Sequence, residues 1–162
     1  MSKVKTIAYF GIGIALYFIL SMTVKIPLIG HIQTDLGYIA YGVFLYLFGI
    51  PALIIGVIGC LLESLLISGW IPIGWMLGQT LIGIICGYTY KKFKSNWILI
   101  LISVIAVFIG VGLIKTIVEC VLYDIPFAIK FFKNGIAVIA DSIPLTLGCF
   151  LGKTFKNRKI IK

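Results

Sequence analysis

The sequence predicts an all-α membrane protein, a bundle of six transmembrane helices with both termini in the cytosol. Of its 162 residues, 61% are hydrophobic and only 12% are charged. A soluble domain of this size leaves roughly a third of its chain surface in water, so it cannot hide so much apolar surface. The apolar runs are long and unbroken, whereas strands of a membrane barrel alternate apolar and polar residues. Helices in lipid are therefore the expected class.

Six apolar segments of roughly spanning length follow one another, and we expect them to form one domain covering residues 1–162. The second segment is short and is closed by Gly49 and Pro51, while the fifth is long enough to tilt or to project past the lipid. The first has a basic start but no clear cleavage site, which favours a retained helix over a signal peptide. The predicted spans are 6–24, 37–48, 51–68, 73–90, 97–123 and 135–152.

The charges predict the orientation of this bundle. A net charge of +9 would suggest nucleic-acid binding in a soluble protein, but here the basic residues flank the apolar runs. With six spans, both termini and the 91–96 loop share one side, and by the positive-inside rule that side is cytosolic. The basic residues that define it are Lys3, Lys5, Lys91, Lys92, Lys94, Lys153, Lys156, Arg158, Lys159 and Lys162.

The acidic residues lie on the opposite side, in the outer connectors or in the outer parts of the spans. With a rise of about 1.5 Å per residue, Glu119 would lie roughly 6 Å below the outer end of its helix and Lys115 roughly 12 Å below it. A charge facing lipid at such depth costs a few kcal/mol, so these groups should face the bundle interior or a cavity. The residues predicted to bind a substrate there are Glu63, Trp75, Gln79, Lys115, Glu119 and Asp141.

Several of these side chains also have plainer interpretations. Lys115 and Glu119 are four residues apart and could simply pair with each other on their own helix. Trp75, like Trp70, could belong to the aromatic belt at the membrane interface. Asp35 could only cap the second helix, and His31, which lies in a loop, could be solvated or capping.

Motifs for catalysis are absent from the sequence. It holds a single histidine, no His-x-x-x-His pair, no Gly-x-Ser-x-Gly and no phosphate-binding glycine loop. The four cysteines lie in four different apolar runs, which favours packing over a disulfide or metal role. We therefore expect no enzyme activity, no cofactor and no metal.

Short motifs along most of the chain carry a family resemblance. They are Gly11-x-x-x-Ala15 in the first helix, the outer loop from Ile26-Pro27 to Asp35-Leu36-Gly37, the passage 47–63, and the segment 71–83 with Ile71-Pro72-Ile73-Gly74-Trp75. In ensemble the chain resembles the substrate-binding S components of energy-coupling factor (ECF) transporters. The resemblance implies a six-helix protein that binds a vitamin or related micronutrient near the outer surface.

The resemblance also implies partners. S components work with a transmembrane coupling protein and two cytosolic ATPases, and small residues of the first helix contact the coupling protein. Those positions would be Gly11 and Ala15 here, although the usual motif begins with Ala. The missing ATP-binding motif agrees with hydrolysis by partner subunits.

The ligand and the function class remain open at this stage. Three acids against one lysine suggest a ligand with cationic or hydrogen-donor character, such as a deazapurine, a thiamine-related pyrimidine or another polar heterocycle. A stand-alone ion- or proton-coupled secondary transporter using Glu63, Glu119 or Asp141 is the alternative. A membrane scaffold without a ligand is a third possibility.

Overall fold

The computed structural model describes residues 3–23, 25–27 and 33–158, and within this part the chain forms six helices, which confirms the all-α class. A single 3₁₀ turn, Ile50–Ala52, precedes the third helix. The helices are α1 (Lys3–Thr23), α2 (Gly37–Phe48), α3 (Leu53–Ile67), α4 (Ile73–Lys92), α5 (Asn96–Tyr123) and α6 (Phe127–Asn157).

Among the described residues, four helical segments are long and apolar enough to cross a membrane: Val4–Thr23, Ile50–Ile67, Asn96–Tyr123 and Phe127–Asn157. The 12-residue α2 is apolar but shorter, and the 20-residue α4 is interrupted by glycines and polar side chains. The protein is thus a multi-pass membrane protein.

The α2 helix lies at the centre of the bundle and packs most extensively against α6. Glycines permit this close approach, because a Cβ atom at Gly148 would clash with the carbonyl of Ile39, and one at Gly42 would clash with the carbonyl of Leu145. The core around α2 is rich in tyrosine, and Tyr17, Tyr38 and Tyr41 are fully buried in mutual ring contact. Their hydroxyls place polar groups in the middle of an apolar bundle.

Two short strands were not predicted. They are β1 (Lys25–Pro27) and β2 (Gln33–Asp35), which pair antiparallel with Lys25 opposite Asp35. This ribbon joins α1 to α2, and β2 lies against α6. The ribbon thereby fixes Asp35 at the start of α2.

The α6 helix begins at Phe127, well before the predicted span 135–152. Most of the expected outer connector 124–133 is therefore helical. On this helix Lys130 and Lys133 share one face, while Ile129 and Phe132 lie exposed on another. This pattern is an amphipathic helix that continues beyond the apolar segment.

The basic residues meet at one end of the bundle, which we call the basic end (Lys91, Lys92, Lys94, Lys153, Lys156 and Arg158). The Nζ atom of Lys153 donates to the carbonyl of Lys94 at 2.6 Å, and that of Lys91 donates to the carbonyl of Phe48 at 3.0 Å. The candidate site lies at the opposite end, which we call the cavity end.

Candidate ligand-binding site

The larger of two joined cavities at the cavity end has a volume of about 560 Å³. Its walls come from the outer parts of α3 to α6 and from the α3–α4 turn. Trp70 and Trp75 form the aromatic part of the wall, and Lys115 and Glu119 add charged groups from α5. Ligand pockets in proteins commonly have about 300–1,000 Å³, so this cavity is large enough for a small heterocycle.

The smaller cavity has a volume of about 140 Å³ and shares Trp75, Lys115, Lys133 and Asn134 with the larger one. It also reaches Asp35 and Asp141, which are both buried. The two cavities therefore form one site with an aromatic chamber and an acidic chamber. We call this site the outer cavity, because it lies at the end of the bundle that the sequence predicts to face outwards.

Lys115 and Trp75 form the boundary between the two chambers. The Lys115 ammonium lies 4.5 Å from the centroid of the Trp75 ring, at cation–π distance. The Trp75 indole in turn donates to the Tyr38 hydroxyl at 3.5 Å. Trp75 thus lines the cavity, whether or not it also belongs to an aromatic belt at the membrane interface. Its contacts with Lys115 and Tyr38 fix the orientation of the ring.

Glu119 forms its ion pair with α6, because Lys130 Nζ lies 2.8 Å from Glu119 Oε2. The sequence offered a pair with Lys115 on the same helix, but Lys115 lies over Trp75. Both partners of the observed pair are largely shielded from solvent and line the larger cavity. The pair ties the first turns of α6 to the outer end of α5.

Asp35 organises the acidic chamber. Its carboxylate accepts hydrogen bonds from the Tyr17 hydroxyl at 2.8 Å, from the Ser21 hydroxyl at 2.5 Å and from the backbone N–H of Gly37 at 2.8 Å. Its own backbone N–H donates to Asp141 Oδ1 at 3.4 Å. Asp35 therefore caps α2 as the sequence suggested, but it also holds α1 and lines the cavity.

Gln79 and Glu63 are buried, and among the described residues neither is part of the lining of the two joined cavities. The side-chain Nε2 of Gln79 donates to the Tyr17 hydroxyl at 3.2 Å, and the backbone carbonyl of Gln79 accepts from the Tyr41 hydroxyl at 2.7 Å. Gln79 thus supports Tyr17 from below. Glu63 is buried on α3, in the same acid-containing half of the bundle.

Lys130, Lys133 and Asn134 also line the site, and sequence reasoning missed them because α6 was expected to begin after them. With them, three lysines lie among three acids, namely Lys115, Lys130 and Lys133 with Asp35, Glu119 and Asp141. The residues that line the site therefore lack the excess of acidic side chains that the sequence suggested. His31 lies outside the described residues, and within those residues no cluster of ligating side chains fits a metal ion.

The first helix presents a different surface. Gly11 and Ala15 are exposed, and a Cβ atom at Gly11 would meet no neighbour within 4 Å. Val4, Ile12, Leu16 and Ile19 are also exposed on α1. The helix therefore leaves a broad apolar face, with small residues at its middle, open to lipid or to another protein.

A family model described as "ECF-type riboflavin transporter, S component" matches residues 1–153, nearly the whole chain. The chain belongs to this family. It is a substrate-binding S component of an ECF-type importer of vitamins, as the resemblance implied, and a transport subunit rather than an enzyme.

Relatives of this S component include a UPF0397 protein of Streptococcus thermophilus, 25% identical, with 91% of this chain and 87% of that protein covered. The UPF0397 protein LBA0922 of Lactobacillus acidophilus is 28% identical, with 99% and 93% covered. Both alignments span almost the full length of the S component.

Two crystal structures share the fold. One is FolT bound with folic acid, with a TM-score of 0.70, 22% identity, and 93% of this chain and 94% of that chain covered. The other is the S component for biotin from an ECF-type ABC transporter, with a TM-score of 0.68, 20% identity, and 97% and 95% covered. At this identity the likeness concerns the fold of the S component.

Proposed function

We propose that this S component binds riboflavin, or a closely related flavin, in the outer cavity. The observation that carries the proposal is the pairing of two chambers, one walled by tryptophan and one lined by buried carboxylates and lysines. A flavin has the matching parts, a flat aromatic ring system and a polyhydroxyl chain. The description of the family model, which names a riboflavin transporter, supports the same ligand.

The charge balance of the site favours this ligand. Three lysines among three acids give no strong preference for a charged molecule, and the Glu119–Lys130 pair already neutralises two of these groups. Riboflavin is uncharged at neutral pH, whereas folic acid and biotin carry carboxylates. A ligand carboxylate would be buried among lysines that already have acidic neighbours, and a buried charge without a partner of its own weakens binding.

Within this proposal, Trp75, Lys115, Glu119 and Asp141 contact the ligand, and Asp35 joins them. Trp75 offers an aromatic face for stacking. The carboxylates accept hydrogen bonds from ligand hydroxyls, and Lys115 donates to carbonyl or hydroxyl oxygens. Gln79 acts from beneath the site, through the Tyr17 hydroxyl that it bonds and that in turn donates to Asp35. Glu63 is buried on α3 and contributes to stability rather than to ligand contact.

We also propose that the exposed Gly11–Ala15 face of α1 binds the transmembrane coupling protein, which in turn carries two cytosolic ATPases. The small side chains support this because they let another helix approach closely in lipid. We further propose that both termini lie in the cytosol and that residues 1–162 form one domain. The concentration of lysines at the basic end supports this orientation.

Titration of the purified protein with riboflavin tests the ligand. Binding should quench tryptophan fluorescence, and folic acid, biotin and thiamine should compete poorly. Trp75→Phe should remove a large part of the quenching, and the remainder should come from Trp70 in the same wall. Trp97→Phe is the matched control because Trp97 is 82% exposed near the basic end. Tight binding of thiamine or folic acid in place of riboflavin would overturn the flavin assignment and leave the S-component family intact.

A further inference from the structure

The α5 helix contains a π-helical stretch, Phe108–Lys115, between two α-helical parts, Asn96–Val107 and Thr116–Tyr123. A π-helix bonds residue i to i+5 rather than i+4, and such stretches are rare and occur frequently at functional sites. This one ends at Lys115, a residue of the outer cavity. Its position raises the question of what the extra residue in the turn does.

The positions of residues around the axis of α5 show what the extra residue does. The first part of α5 buries Leu99, Ser103, Val107 and Gly110 against the bundle. At about 100° per residue, an uninterrupted α-helix would continue that face with Ile114, Ile117 and Val121. Lys115 and Glu119 would then lie on the opposite side, towards lipid.

The structure shows the reverse arrangement at the outer end of α5. Lys115 and Glu119 line the larger cavity, while Ile117 is 47% exposed and Val121 is 79% exposed on the outside. One additional residue in a helical turn shifts the following residues by about 100°, which accounts for the change. The π-helical stretch therefore turns two charged side chains from lipid into the site.

Neighbouring residues hold the stretch in place. Gly110 lies against Gly78 of α4, where a Cβ atom on either glycine would come within 2.6 Å of the other's carbonyl oxygen. At the outer end, the Thr116 hydroxyl reaches the carbonyl of Val111, five residues earlier, at 3.5 Å. Asn134 of α6 donates to the same hydroxyl at 2.9 Å. The helix is thus fixed on both sides of the extra residue.

We propose that the π-helical stretch Phe108–Lys115 is a positioning element of the ligand site, which sets the register that presents Lys115 and Glu119 to the ligand. Thr116 and Asn134 are its positioning residues. The inference rests on the proposed function, because it assigns the two side chains to the same outer cavity. The register itself is a property of the helix and can be measured without any ligand.

Cysteine labelling in lipid nanodiscs measures the register. In a Cys120→Ser background, a water-soluble maleimide should label Lys115→Cys and Glu119→Cys but react poorly with Ile117→Cys and Val121→Cys. The three other native cysteines are buried. Labelling of the second pair rather than the first would overturn the inference, whether or not the protein binds riboflavin.

A matched pair of length variants tests the positioning role. Deletion of Leu113 changes the π turn into an α turn and leaves both parts of α5 on their present faces, so riboflavin affinity should stay within about threefold of wild type. Insertion of one alanine after Leu113 adds about 100° more rotation and should lower affinity at least about tenfold, with loss of labelling at position 119. Equal effects of the two variants, whether both bind or both fail, would overturn the inference.

If wild type does not bind riboflavin, the proposed function fails while the labelling still decides the register. If the insertion variant does not fold, the labelling of the four cysteine variants of normal length decides the inference alone.

Discussion

The Tyr17 hydroxyl donates a 2.8 Å hydrogen bond to Asp35 Oδ2, and this contact joins α1 to the wall of the acidic chamber. Tyr17 is fully buried, and its hydroxyl also accepts from Gln79 Nε2 at 3.2 Å. One phenol thus connects three elements beneath the proposed ligand. A substitution of Tyr17 should therefore lower ligand affinity although Tyr17 does not line the cavity.

Tyr17→Phe should lower riboflavin affinity about fivefold and reduce the free energy of unfolding by about 2–3 kcal/mol, because the hydroxyl makes two buried hydrogen bonds, one of them to a carboxylate. The ring packing remains, so the protein should still fold. Tyr88→Phe is the matched control, because Tyr88 is 62% exposed on α4. Calorimetric titration and thermal unfolding measure the two effects, and an unchanged affinity would show that Asp35 does not depend on Tyr17.

Asp141→Asn should lower riboflavin affinity about tenfold or more, which corresponds to roughly 1.4 kcal/mol of binding free energy. The amide keeps the shape of the side chain but accepts hydrogen bonds less strongly than a carboxylate. Asp124→Asn, in the exposed α5–α6 turn, should have no effect on binding. Equal affinities of Asp141→Asn and wild type would show that Asp141 does not contact the ligand.

The helical fold could be predicted from the sequence because long apolar runs and clustered lysines carry a strong and local signal. The position of Asp141 and Glu119 at the cavity end could be predicted for a similar reason, since a buried charge needs a polar environment. The start of α6 could not be predicted, because Lys130 and Lys133 interrupt the apolar run. The contact that ties this turn to the bundle, the Lys130–Glu119 ion pair, joins residues on different helices.

Two features of the site depend on contacts between residues far apart in the sequence. Tyrosine counts as apolar in a hydropathy pattern, so the bond from Tyr17 to Asp35 is invisible there. The direction of Lys115 depends on a π-helical turn that a helical periodicity of 3.6 residues does not include. The prediction that Lys115 faces the interior of the bundle rested only on the free-energy cost of placing a charge in lipid.

Glu63→Gln should change stability more than affinity, because Glu63 is buried and, among the described residues, is not part of the lining of the two joined cavities. Riboflavin affinity should stay within about twofold of wild type, while the midpoint of thermal unfolding should shift, since breaking a buried polar contact commonly changes stability by about 1–3 kcal/mol. Thermal unfolding and titration of the same preparation measure both. A loss of affinity as large as that of Asp141→Asn would place Glu63 in the contact set.

Gly11→Leu and Ala15→Leu should prevent association with the coupling protein and leave riboflavin binding unchanged. Both positions are exposed on α1, and the space beside Gly11 is open, so a leucine there fits the isolated S component. It would instead separate α1 from a partner helix that packs on small residues. Val104→Leu, on the exposed surface of α5, is the control for added bulk in lipid.

Co-purification with a coupling protein and its two ATPases measures association. If both α1 variants co-purify as well as Val104→Leu, the partner surface lies on another helix. If they lose riboflavin binding as well, α1 acts on the ligand site rather than on the partner.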